Sequence, residues 1–207
     1  DESTIFVPTR KCLDQPLSCI WVFAGQGKSS IRFWLDRSTY CSFVGPQHPK
    51  MGKMLYSHVE SFRRSIDASD IIYHECSGHS LINDIGLFGS TNGSNPMAVY
   101  EIAYTLPALV FLQIGLVDMY RHLGVPCTAV FGHSFGEMAA GYAANICTRQ
   151  QCIQTAYHRA RILRQVDNGG AMLAASCSSD FVRPLLEAHE QIWIAAYNAP
   201  NSLTLGG

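Results

Sequence analysis

Gly132-His133-Ser134-Phe135-Gly136 has the pattern G-x-S-x-G. In that pattern a sharp strand-to-helix turn lifts a serine hydroxyl clear of the backbone, where it can attack a carbonyl carbon. The short motif is common by chance, so its surroundings decide its meaning. Here an apolar strand, Thr128–Phe131, precedes it, and a helix rich in small residues (Ala139, Ala140, Gly141, Ala143, Ala144) follows. The start of that helix would bring backbone N–H groups and positive dipole to the reacting carbonyl. Ser134 is therefore the candidate nucleophile for acyl chemistry.

Acyl chemistry also needs two N–H donors for the developing oxyanion. One is normally the residue after the nucleophile, here Phe135. The other must come from a loop at the same end of the sheet. Ser18–Ala24 is a short apolar run that reads as a strand buried on both faces, and Gly25-Gln26-Gly27 follows it as a tight turn. The sequence Gly27-Lys28-Ser29 looks like the end of a phosphate loop, but the first glycine of that motif would fall at Val22. The phosphate-loop reading fails.

A third chemical group lies on the helix 149–166, opened by a capping box from Thr148 and Gln151. Cys152, Ala156, Arg159, Leu163 and Val166 share one face, whereas Gln154, His158, Arg161 and Gln165 form a polar one. Arg159 is thus expected to point with the apolar stripe. An inward guanidinium needs an anion, which could be a substrate carboxylate or an internal salt-bridge partner; otherwise its stem snorkels out to water.

The elements that must position these groups alternate strand and helix, which predicts a parallel α/β sheet. The spacing of Met54, Leu55, Val59, Phe62 and Ile66 predicts a helix over 51–67. Residues 78–93 read as loop with at most one short helix. A second helical stretch starts at Asn95-Pro96, is interrupted or restarted by Pro107, and stops at Gly124. After Gly169 the elements shorten, with strands at 171–176, 192–197 and 202–205 and a helix near 179–189, as in the start of a smaller α+β unit.

The 207 residues are 47% apolar and 15% charged, as in an ordinary folded protein. A formal net charge of −1 without a Lys/Arg cluster argues against nucleic acid. The longest apolar run, Leu106–Val117, is broken by Gln113 and is shorter than the roughly 20 residues of a membrane span, so no membrane partner is expected. The acidic start does not look like a signal peptide. The eight cysteines include no C-x-x-C pair and no histidine at ligand spacing, which points to reduced thiols, no metal and a cytoplasmic protein.

F-A-G-Q-G (23–27), G-P-Q-H-P-K-M-G-K-M-L-Y (45–56), G-H-S-F-G-E (132–137), A-Y-H-R-A-R (156–161), G-A-M-L-A (170–174) and N-A-P-N-S-L-T-L-G-G (198–207) occur in this order. With these segments the chain resembles the malonyl-CoA:acyl-carrier-protein acyltransferases, in particular the acyltransferase domain of fungal-type polyketide synthases. The resemblance implies Ser134 as nucleophile, Gln26 and Phe135 as oxyanion N–H donors, Arg159 as the grip on a malonyl carboxylate, and His133 as support for the serine. It also implies a hydrolase-like large subdomain and a ferredoxin-like small one. The organisation expected is a linker over 1–17, an acyltransferase core over 18–169 and part of the small subdomain over 170–207.

Two departures from the family pattern stand out. Leu106-Pro107-Ala108 replaces the usual Gln-Pro-Ala, which removes a polar group near the pocket. The family's general-base histidine belongs beyond Gly207, so residues 1–207 alone are expected to be inactive. In addition, residues 28–45 interrupt the join between F-A-G-Q-G and P-Q-H-P-K-M-G, showing neither strand alternation nor a helical stripe. They read as an atypical insertion, extruded and poorly packed, and the position beside Gln26 favours translated intron over a genuine surface insertion.

The implied reaction passes a malonyl or related acyl group from coenzyme A through an acyl-serine to the phosphopantetheine thiol of an acyl carrier protein. Neighbouring domains of a multidomain synthase would be partners. No permanently bound cofactor is implied; the coenzyme A thioester is substrate. Two other readings compete. A serine hydrolase or thioesterase would use the same elbow with water as acceptor and give Arg159 no role, and an inert fragment would keep the fold without the chemistry.

Overall fold

The computed structural model describes residues 19–24, 40–42, 51–89, 101–165 and 171–207. The chain divides into two compact units, residues 1–165 and 166–207.

In the first unit, strands β1 (Ile20–Phe23), β2 (Tyr40–Ser42) and β3 (Ala129–Gly132) form a sheet of order β2-β1-β3. Both pairings are parallel, with Phe23 opposite Gly132. This is the parallel arrangement expected from alternating strands and helices. Burial on β1 alternates: Cys19, Trp21 and Phe23 are buried, Val22 is half-buried and Ile20 is exposed. The expectation of burial on both faces is therefore not met among the described residues. The apolar run reflects one packed face, on which Trp21 and Phe23 meet Val117, Ala139, Ala140 and Ala143.

The helices of this unit are α1 (Lys53–His58), α2 (Glu60–Ser77), α3 (Ile102–His122), α4 (Gly136–Ala143) and α5 (Arg149–Gln165). The single helix expected over 51–67 is two helices, because Val59 is extended (φ −114°, ψ 105°). A 3-10 turn, Leu87–Gly89, lies within the loop expected there. Pro107 neither interrupts nor restarts α3, which runs through it. The proline sits in the second turn, where its missing N–H forfeits one helical bond and the packing of the surrounding apolar residues holds the helix together. The helix ends as read, before Gly124 at φ 70°.

Helix α3 is long and apolar enough to cross a membrane by length and composition, with a mean hydropathy of 1.3, yet 72% of that window is buried inside the unit. It is a core helix. Val110, Phe111 and Ile114 pack with Phe62, Ile66 and Tyr73 of α2 and with Ile153 and Ala156 of α5. Gly115 permits the close approach of α2, since a Cβ there would lie 2.8 Å from the Phe62 ring.

Helix α5 opens on the reciprocal box expected from its sequence. The Thr148 N–H donates to Gln151 Oε1 (2.8 Å), and the Gln151 N–H donates to Thr148 Oγ1 (3.1 Å). Its next residue, Arg149, is paired with Asp118 of α3 and donates to the Ser65 carbonyl at 2.6 Å, while Tyr142 donates to Asp118 at 2.8 Å. This ion pair ties together α2, α3, α4 and α5.

The second unit contains β4 (Met172–Ala175), α6 (Ser179–Leu186), β5 (Trp193–Ala199) and β6 (Ser202–Gly206). Its sheet has the order β4-β6-β5 with antiparallel pairs. A strand, a helix and a returning hairpin whose last strand inserts beside the first make up the opening β-α-β-β of a ferredoxin-like fold.

Within the segment 28–45, Tyr40–Ser42 is not an extruded loop: it pairs in parallel with Ile20–Val22. Three residues are too few to show an alternating pattern, and the open edge of β1 supplies the partners that fix them. The remainder of 28–45 lies outside the described residues.

Candidate active site

The turn between β3 and α4 brings the serine motif to the carboxyl end of the sheet. Ser134 is exposed and has φ 55°, a left-handed conformation that a side chain other than glycine rarely adopts. Such a backbone costs on the order of 1–3 kcal/mol and persists only where its surroundings enforce it. The two glycines of the motif are part of that enforcement. A Cβ on Gly132 would stand 2.6 Å from Glu137 Cα, and one on Gly136 would stand 2.1 Å from the Phe23 carbonyl oxygen.

Hydrogen bonds complete the turn. The His133 N–H donates to the Phe23 carbonyl at 2.9 Å, the Gly136 N–H to the His133 carbonyl at 2.9 Å, and the Glu137 N–H to the Ser134 carbonyl at 3.2 Å. Among the described residues, the Phe135 N–H has no backbone acceptor. It is the N-cap of α4, where an N–H is free of the helix ladder and the macrodipole favours negative charge. The imidazole of His133 is exposed and hydrogen-bonds nothing among the described residues, so its contribution to the turn is its backbone N–H.

The side chain of Phe135 is buried among Leu106, Leu109 and Ala160. Leu106, which stands where a glutamine was expected from related sequences, is fully buried and part of this floor. Over the Phe135 ring lies Arg159, its guanidinium carbon 4.2 Å from the ring centroid, a cation–π contact. Arg159 does not point inward as its stripe suggested. It is exposed, because the buried arc of α5 is Cys152, Ile153, Ala156 and Ala160, which leaves residue 159 at the edge. No carboxylate pairs with it among the described residues. Arg159 also borders an open depression of about 620 Å³ on the outer side of α5, shared with Gln154, Thr155, His158, Ile162 and Leu163.

Gln26 lies outside the described residues. The strand that leads to it ends beside the elbow, since Phe23 pairs with Gly132 in a parallel register. Gln113 of α3 donates from Nε2 to the Ala24 carbonyl at 2.8 Å. The sequence carried a signal for this residue, a lone amide inside the apolar run Leu106–Val117, but none for its target.

The Cys152 thiol does not compete with Ser134 as a nucleophile. Burial, reinforced by neighbouring Cys147, pushes the Cys152 thiol up to about 12. A thiol so protonated is a poor nucleophile at neutral pH.

The turn thus brings together a strained serine, a backbone N–H without a backbone acceptor among the described residues and a guanidinium over the next residue's ring. The family model for the acyl transferase domain matches residues 40–207. This chain belongs to the acyl transferase domain family. As an acyl transferase domain it is 31% identical over 172 residues to the highly reducing polyketide synthase stpks1 of Strobilurus tenacellus, covering 79% of this chain and 6% of that protein. It is 34% identical over 166 residues to the highly reducing polyketide synthase fogA of Aspergillus ruber, covering 79% of this chain and 7% of the relative. The acyl transferase chain thus spans only a small part of the relatives' length.

Solved acyl transferase structures share the fold. The loading acyltransferase of the avermectin modular polyketide synthase superposes with a TM-score of 0.73 at 22% identity, over 91% of this chain and 54% of that one. The malonyl-CoA:ACP transacylase of Synechocystis gives 0.66 at 22% identity, again over 91% and 54%.

Proposed function

We propose that this chain is the acyltransferase segment of a multidomain polyketide synthase, and that it moves a malonyl group from coenzyme A, through Ser134, to the phosphopantetheine thiol of an acyl carrier protein. The observation that carries this reading is the left-handed Ser134 at the start of α4, in a chain of the acyl transferase domain family. The named function of the Synechocystis relative and the polyketide synthases among the sequence relatives support the same donor and setting.

In the first half-reaction the Ser134 oxygen attacks the thioester carbon while a base takes its proton. The resemblance assigns that base to none of the eight histidines of this chain. The Phe135 N–H, with a second donor from Gln26, holds the negative oxygen of the tetrahedral adduct. The carbon–sulfur bond then breaks, coenzyme A leaves as its thiol with the proton, and a malonyl-serine ester remains. In the second half-reaction the carrier's thiol attacks the ester, and the serine oxygen recovers a proton as it departs.

Arg159 confers selection for a dicarboxylic acyl group. Arg159 is exposed and pairs with no carboxylate among the described residues, so a free malonyl carboxylate can accept two of its N–H groups in parallel. An acetyl group offers nothing there. No permanently bound cofactor takes part.

Transfer and hydrolysis are separated by the acceptor. The natural full-length polypeptide, given labelled malonyl-CoA and carrier protein bearing phosphopantetheine, is expected to release label on the carrier. Label appearing instead as free malonate, at a rate independent of the carrier, would establish the hydrolase reading.

A further inference from the structure

Gln113 of α3 joins the end of β1 to the helical core. It is 1% exposed, in a helix whose buried positions around it are Val110, Phe111, Leu112 and Ile114. Its amide is only half satisfied: Nε2 donates to the Ala24 carbonyl at 2.8 Å, whereas Oε1 is buried with no hydrogen-bond partner among the described residues. The carbonyl at Ala24 can only accept, which fixes the end of the amide that faces it. A buried acceptor left unpaired is costly, and an apolar side chain of similar size would avoid that cost, giving up only the one bond to the half-buried Ala24 carbonyl. Stability alone does not account for an amide here.

The place of its one hydrogen bond does. Phe23, one residue before Ala24, accepts the His133 N–H and packs its carbonyl against the α-carbon of Gly136. The elbow therefore grips β1 at Phe23 from one side, and Gln113 grips the next carbonyl from α3.

We propose that Gln113 is a positioning residue for acyl transfer: by holding the Ala24 carbonyl it fixes the end of β1 against the Ser134 elbow, which is bonded to the same strand at Phe23. The inference rests on Ser134 being acylated as proposed above. An oxyanion donor acts only in preorganised geometry, so a small displacement of the strand end costs rate and leaves ground-state binding unchanged.

The test is the single-turnover rate of Ser134 acylation in the natural full-length polypeptide, followed by mass spectrometry, with malonyl-CoA and acetyl-CoA as donors. Gln113→Met keeps the length of the side chain and removes the donor. The maximal rate is expected to fall about 10- to 100-fold, equally for both donors, with the half-saturating concentration unchanged and the thermal midpoint still well above the assay temperature. Should that variant not fold, Gln113→Leu serves in its place, since its smaller apolar side chain also removes the donor. A wild-type maximal rate in the folded variant, with or without a lower midpoint, makes Gln113 merely structural and overturns the inference, while leaving the Ser134 reading intact. Wild-type protein that gains no acyl group on Ser134 overturns both.

Discussion

The guanidinium of Arg159 lies over the ring of Phe135, its carbon 4.2 Å from the ring centroid. Phe135 is the residue after Ser134, and its backbone N–H opens at the start of α4. One aromatic residue therefore sets both the candidate oxyanion donor and the seat of the cation that would read an acyl group's free carboxylate.

Arg159→Ala is expected to lower malonyl loading about 10- to 100-fold, as for the loss of a charge-assisted hydrogen bond, and to leave acetyl loading within about threefold. Because Arg159 is exposed and has no carboxylate partner among the described residues, the thermal midpoint is expected to hold. Radiolabel loading with the two donors checks this. Equal loss for both would make the residue a structural prop for Phe135.

The elbow's second glycine is required for space. Gly136→Ala places a methyl 2.1 Å from the Phe23 carbonyl oxygen, which is backbone and cannot turn aside. A loss of about 3 kcal/mol or more in urea unfolding is expected. Gly124→Ala is the comparison: its φ of 70° is strained for alanine, but the space around it is open, so about 1–2 kcal/mol is expected. Equal costs at the two positions would mean that the elbow yields.

Stability should fall in alkali. Burial first, then Cys147, raises Cys152 from 9.0 to about 12; burial first, then neighbouring Tyr104, raises Tyr73 from 10.0 to about 12. The fold thus holds these protons more tightly than the unfolded chain does. The stability they contribute is present in full below about pH 9 and is lost as pH rises through about 12. Urea midpoints measured from neutral pH upward should stay level to about pH 9 and then decline. A midpoint that rises above about pH 9 would contradict this.

Much of the fold was legible because its signals are local. The strand–turn–helix around Ser134 needs glycine at two tight approaches, and both are in the motif. Thr148 and Gln151 form the reciprocal cap that their spacing announces. The misreadings came from facts set at a distance. A stripe counted through Cys152, Ala156, Arg159 and Leu163 runs along the edge of the buried arc, whose other members are Ile153 and Ala160. Pro107 looked like a break, yet packing carries α3 through it. The pairing of Tyr40–Ser42 with β1, the Arg149–Asp118 ion pair and the Gln113–Ala24 bond each join residues far apart in sequence, and no local pattern encodes them.

The most direct test of the central claim is whether Ser134 becomes acylated. The natural full-length polypeptide would be mixed with malonyl-CoA without an acceptor, quenched in acid, digested and analysed by mass spectrometry. A malonyl group on the peptide carrying Ser134 is expected, removed by later addition of carrier protein bearing phosphopantetheine and absent in Ser134→Ala. Ser134 found unmodified while acyl transfer to the carrier proceeds, or transfer undiminished in Ser134→Ala, would contradict the account.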